Sequence, residues 1–298
     1  MVQISFETYL TYGLLTLALS SLGLPSTSQS GWLTRYAWIL FLVFAIITGL
    51  IFKVLQPISW VWIALLGSTS WTLTHQRLRL VFRAISFIIV LLVSIGLLTH
   101  QLPGFANPEI ITGLKLSDDA LPYDKYLNFD SALVGLFILG FGQNRLSGFS
   151  EWGVMLKKMM PILALTLVVV MLLSLALGYV HWQPKWTPVF YVWIWGNLFF
   201  TCMIEEAFFR GFIQKFLVLC LSKIRNGHIF AIVITATVFG LAHYVGGPKY
   251  IFLATVAGVG YGCAYHFTQR IEASILTHLT LNSLHFIFFT YPALAAAF

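Results

Sequence analysis

A chain of 298 residues that is 59% hydrophobic and 9% charged lies far from a water-soluble domain, in which about 25% of residues are charged. The mean hydropathy of +0.87 points the same way. The net charge of +7 comes from 17 basic and 10 acidic residues, and the basic ones are scattered singly between apolar stretches without forming a patch, which excludes a nucleic-acid partner and leaves a membrane protein.

In chain order, residues 8–34, 36–52, 54–76, 84–108, 159–184, 186–204, 226–248, 250–269 and 273–298 contain no Asp, Glu, Lys or Arg, and 131–144 is a shorter interval of the same kind. A span needs about 20 apolar residues, so the pattern predicts an all-α, polytopic transmembrane helical bundle of about 8–10 spans. The first residues, MVQISFETYL, lack a basic n-region and read as the start of the first span, not as a cleaved signal peptide. The four spans before residue 100 hold no acidic residue beyond Glu7. The segment QLPGFANPEIITGLKLSDDALPYDKYLNFD follows, with three prolines and seven charged residues, and predicts an ordered external loop or a short surface helix. It divides the chain into 1–130, N-terminal spans plus the loop at about 100–130, and 131–298, whose spans hold every polar group that is out of place in a membrane helix.

Arg77, Arg79 and Arg83 mark one connection, Lys157 and Lys158 a second, and Lys215, Lys223 and Arg225 a third. The positive-inside rule puts all three in the cytoplasm, with the acidic segment opposite and both termini outside. Cys202, Cys220 and Cys263 form neither a disulfide framework nor a CxxC pair. Within GVGYG, Gly258 and Gly262 make a GxxxG pair that reads as close helix packing.

The stretch CMIEEAFFRGFIQKF, Cys202 to Phe216, breaks the apolar pattern. An ionised side chain at the bilayer centre costs about 2.5–3.5 kcal/mol, so Glu205, Glu206 and Arg210 need a compensating reason. On a helix Glu206 and Arg210 share a face and neutralise each other as a structural ion pair. Glu205 lies about 100° away and points elsewhere. Downstream, TATVFGLAHYVGGP places Phe239 and His243 four apart, and ASILTHLTLNSLHF does the same for His278 and Asn282, with His285 one turn further on. Glu205, His243, His278 and Asn282 can converge inside a bundle. At about 1.5 Å per residue, Glu205 lies ~25 Å and His243 ~22 Å from the basic loop 222–228, and Asn282 ~18 Å and His278 ~12 Å from Arg270, one band within the membrane. His181, His266 and His285 read as structural or interfacial.

With these residues the sequence resembles the Abi, or CPBP, family of intramembrane proteases, whose eukaryotic members are the type II CAAX prenyl endopeptidases. Its EExxxR, FxxxH and HxxxN motifs correspond to Glu205-Glu206-x-x-x-Arg210, Phe239-x-x-x-His243 and His278-x-x-x-Asn282, in order, and the resemblance covers roughly residues 160–290. It implies a CPBP-like catalytic core in 131–298 and peptide-bond hydrolysis in the bilayer. Glu205 and His243 would activate water, His278 and Asn282 would stabilise the oxyanion, and Glu206 with Arg210 would be structural. No cofactor is favoured. Zinc is the alternative, since Glu205, His243 and His278 are also a His2Glu set with a fourth position for water. The expected partners are membrane lipid and a peptide or lipidated, CAAX-like protein substrate. The expected location is a multi-pass integral membrane protein, of the plasma or inner membrane if prokaryotic. The rival functions are a transporter or proton-relay protein, against which no inverted repeat appears, and a non-catalytic scaffold, against which no motif position is replaced.

Overall fold

The computed structural model describes residues 5–23, 32–75, 77–142, 146 and 148–297. Residues 1–4 of the expected first span and 24–31 of the same charge-free interval lie outside the described residues, as do Gln76 and residues 143–145. The fold is an all-α polytopic bundle, and every charge-free interval carries a helix.

Helices α1 (Phe6–Ser21), α2 (Trp32–Ile51), α3 (Ser59–Thr74) and α4 (Leu80–Leu98) precede a two-stranded sheet, β1 (Glu109–Leu114) and β2 (Tyr123–Tyr126). The sheet replaces the surface helix that was one of the two expectations for this ordered segment. Ile110, Ile111 and Thr112 are β-branched, and Pro108 and Pro122 stand just before the two strands, where a missing N–H costs no ladder bond. Helices α5 (Phe129–Gly142) and α6 (Phe149–Ala176) follow.

Residues from Val189 to Cys220 are helical throughout but not uniformly α. Helix α7 (Val189–Asn197) passes into a π segment (Leu198–Cys202), α8 (Met203–Glu206), a second π segment (Ala207–Gln214) and α9 (Lys215–Cys220). Helices α10 (Gly227–Ala242), α11 (Gly247–Thr268) and α12 (Ile271–Phe288) complete the chain, with left-handed Asn226 and Gln269 opening the turns before α10 and after α11.

By length and composition, Leu80–Leu98, Phe149–Ala176 and Tyr244–Thr268 are long and apolar enough to cross a membrane, and Tyr36–Ile51, Phe129–Gly142 and Gly227–Ala242 are shorter apolar helices. On α4 the side chains of Leu80, Val81, Phe82, Ile85, Ile88, Leu92 and Ile95 are all exposed. An apolar face of that extent is a liability in water and ordinary against lipid.

Contacts divide the chain into two compact units, each drawn from separated stretches. The first comprises Met1–Ile110, Tyr126–Gly148 and Phe199–Gly211. Its centre is α5, buried along the whole run Phe129–Leu139, as a helix apolar on every side must be. Helices α1, α3, α4 and α8 pack on it. A Cβ on Gly135 of α5 would come within 3.2 Å of Ile204 on α8, so glycine permits that close approach.

The second unit comprises Ile111–Lys125, Phe149–Leu198 and Phe212–Phe298. Helix α11 is its centre, packed on α6, α10 and α12. A Cβ at Gly240 of α10 would collide with the Thr255 side chain and lie 2.6 Å from the Ile251 carbonyl oxygen. Gly262, half of the GxxxG pair, meets Gln214 and Ile232 in the same way. The residues after α12 fold back over one end of this unit: Thr290 and Leu294 donate backbone N–H to His181 and Tyr179 carbonyls at 3.0 Å, and Leu121 donates to Ala293 at 3.0 Å.

Candidate active site

The charged motif belongs to the first unit. Arg210 Nη1 lies 3.0 Å from Glu206 Oε1, and neither side chain has any solvent exposure. Glu205, the next residue along, is half-buried. The π segments flank this short α stretch on both sides, and interrupted helical hydrogen bonding of that kind is frequent at functional sites.

The other motif residues belong to the second unit, where the structure brings them together. His243, His278 and Asn282 line one cavity of about 60 Å³ among α6, α10, α11 and α12, and Phe239, Tyr250, Tyr261 and His285 share its walls. A cavity of that size, mainly apolar but with imidazoles and an amide in its wall, has room for a few waters.

Helix geometry explains the FxxxH spacing. Phe239 is one of the last four residues of α10, whose carbonyls an α-helix leaves unmatched. The His243 backbone N–H turns to the Gly240 carbonyl at 3.0 Å, and the His243 Nδ1 stands 2.7 Å from the Phe239 oxygen. A carbonyl only accepts, so Nδ1 carries a proton, and in the neutral ring the lone pair is on Nε2. That nitrogen is the one able to accept a proton from water. The ring is also held by Tyr250, edge-on at 5.4 Å.

His278 is buried and clamped. Tyr261 stacks on it with ring centroids 4.5 Å apart and planes at 18°, and Phe239 meets it edge-on at 5.9 Å. One turn on, Asn282 donates Nδ2–H to the Oδ1 of Asn197 at 3.2 Å. His285, placed outside the motifs by its sequence position, lines the same cavity, and its Nε2 lies 3.2 Å from the Thr290 carbonyl. Its tautomer is therefore set by the same rule as that of His243.

Sequence reasoning passed over Asn197. The available signal was a lone amide in the charge-free interval 186–204, eight residues before Glu205. Among the described residues, no group of three or more His, Cys, Asp or Glu is placed to hold a metal ion.

Residues 187–284 match the model of the Rce1-like family, described as type II CAAX prenyl endopeptidase Rce1-like. The match covers about a third of the chain, includes all three motifs and ends just before His285, and it agrees with the family that the motifs resemble. No curated protein and no solved structure matches the chain.

Proposed function

We propose that the chain is a multi-pass intramembrane endopeptidase that hydrolyses a peptide bond in a lipidated or membrane-associated, CAAX-like substrate. One observation carries this reading: His243, whose Nδ1 stands 2.7 Å from the Phe239 carbonyl oxygen, shares a single cavity with the imidazole of His278 and the amide of Asn282, inside the region that matches a CAAX endopeptidase family.

In this reading Glu205 is the general base, by its position in the family motif. The family motifs assign the attacking water to Glu205 and His243: the carboxylate takes its proton and the imidazole accepts a hydrogen bond from it. The water oxygen bonds to the scissile carbonyl carbon, and the carbonyl electrons move onto the carbonyl oxygen. Donors fixed where that charge develops are each worth about 2.7–4 kcal/mol, and Asn282 Nδ2–H and a ring N–H of His278 serve as such donors. Collapse breaks the C–N bond, and the proton held by Glu205 passes to the leaving amine. Glu206 and Arg210 hold the segment that carries Glu205 by cancelling each other's charge.

The test is a comparison of membrane-protein fragments in cells carrying the native chain or Glu205→Gln. The reading expects neo-termini next to membrane-associated or lipidated segments that vanish in the variant while its abundance is unchanged. Identical fragment sets would remove the reading.

A further inference from the structure

We propose that Asn197 is a positioning residue for the oxyanion amide, an inference that rests on the peptidase reading above. The torsion that ends an asparagine side chain is broad and nearly two-fold, so packing alone does not decide whether oxygen or nitrogen faces a given side. A hydrogen-bond partner does. Asn197 is the last residue of α7, buried at 5% exposure, and its Oδ1 receives Nδ2–H of Asn282 at 3.2 Å. That oxygen can only accept. It therefore selects the orientation of Asn282 in which the nitrogen points toward α7, and the planar amide then fixes the direction of the second N–H. The opposite orientation would present a carbonyl oxygen to a developing negative charge and repel it.

The helical turn that carries the partner is itself held in place. One turn before Asn197, Trp193 is fully buried, packs on Phe286 with centroids 4.6 Å apart and donates its Nε1–H to the Tyr291 hydroxyl at 2.9 Å. Trp193 and Asn197 are four apart on α7, as are Asn282 and Phe286 on α12, so the two contacts are successive rungs between antiparallel helices. The aromatic rung sets the register and the amide rung sets the orientation. A leucine at 197 would fill the space and select nothing.

The experiment is a double-mutant cycle on the purified full chain with a farnesylated CAAX-type peptide as probe, comparing native, Asn197→Leu, Asn197→Asp, Asn282→Ala and Asn197→Leu/Asn282→Ala. Asn197→Leu should lower kcat by about ten- to a hundred-fold with KM changed less than about two-fold, as expected when an oxyanion donor is misdirected. Asn197→Asp, which keeps an acceptor, should recover most of that loss. In the Asn282→Ala background Asn197→Leu should change kcat by less than about two-fold, because the residue acts through Asn282. An equal fall in both backgrounds, or a raised KM at unchanged kcat, overturns the proposal.

A second readout needs no substrate. Asn282 side-chain amide resonances in ¹⁵N-asparagine-labelled protein, identified by their loss in Asn282→Ala, should shift in Asn197→Leu and stay near native in Asn197→Asp. Unchanged resonances in Asn197→Leu overturn the positioning role even if the probe is cleaved. If the native chain leaves the probe intact, the choice of substrate fails and the resonances alone decide the positioning.

Discussion

Glu206→Gln removes one charge and almost no volume from a pair that is wholly buried, with Arg210 Nη1 3.0 Å from Glu206 Oε1. The guanidinium then stays charged in an apolar interior with a neutral amide where its counter-ion stood. Breaking a buried pair from one side costs about 3–5 kcal/mol, against about 0.2–1 kcal/mol for a pair at the surface. At about 1.4 kcal/mol per factor of ten, even the lower figure shifts the unfolding equilibrium more than a hundred-fold, a large part of a total stability of about 5–15 kcal/mol. Replacing both partners, Glu206→Gln with Arg210→Met, should restore most of the loss, because a neutral pair of similar volume leaves no orphaned charge. Unfolding of detergent-solubilised protein by denaturant, followed through its ten tryptophans, measures all three forms. A loss below about 1 kcal/mol in the single variant, or a double variant no more stable than the single, would refute the claim that these two residues exist to cancel each other.

Gly240→Ala should destabilise by about 1–3 kcal/mol, because its Cβ meets Thr255 and the backbone oxygen of Ile251, whereas Gly153→Ala on α6, with nothing within 4 Å, should be neutral or stabilising; equal melting temperatures would contradict the packing described for α10 on α11. His100 outside the spans has its pKa raised, chiefly by the Nδ1 hydrogen bond to Asp130 at 2.7 Å, which outweighs the opposing effect of burial, with a smaller upward contribution from the Asp130 charge. A raised folded value means that this contact's stabilisation is full below the ordinary histidine value of about 6.5 and is lost as pH rises through the folded value. Hydrogen exchange at the Phe129 and Ser131 amides should quicken over that window once corrected for intrinsic rates, and His100→Gln should abolish the pH step. Protein stripped with a strong chelator should keep its peptidase activity. One zinc per chain, with activity lost on stripping and restored by zinc, would replace the metal-free scheme by a Glu205, His243 and His278 ligand set.

Helix positions were legible because charges are scarce and their absence marks apolar stretches; each of the ten charge-free intervals carries a helix. Helix lengths were less so. The interval 186–204 stops at Glu205, yet the helix continues to Cys220, since a carboxylate and a guanidinium four apart neutralise each other and need not end a buried helix. The π segments on either side of α8 had no signature, because a shift from i→i−4 to i→i−5 bonding depends on packing and not on residue type. The strands at Glu109–Leu114 and Tyr123–Tyr126 were hidden among prolines and charges that read as loop. The grouping of His243, His278 and Asn282 follows from i, i+4 spacing on α12 and from the C-terminal carbonyl of α10. Asn197 escaped notice because a neutral polar residue does not interrupt a charge-free interval, and only the antiparallel pairing of α7 with α12 shows what it touches; His285, read from sequence as structural or interfacial, lines the cavity wall.

The most direct test of peptidase activity uses purified full-length protein reconstituted in lipid vesicles with a farnesylated CAAX-type peptide, with products identified by mass spectrometry for the native chain, Glu205→Gln and His243→Asn. The account predicts one defined cleavage by the native protein, and no product above background from either variant although both remain folded. Cleavage that persists in Glu205→Gln at the native rate would contradict it.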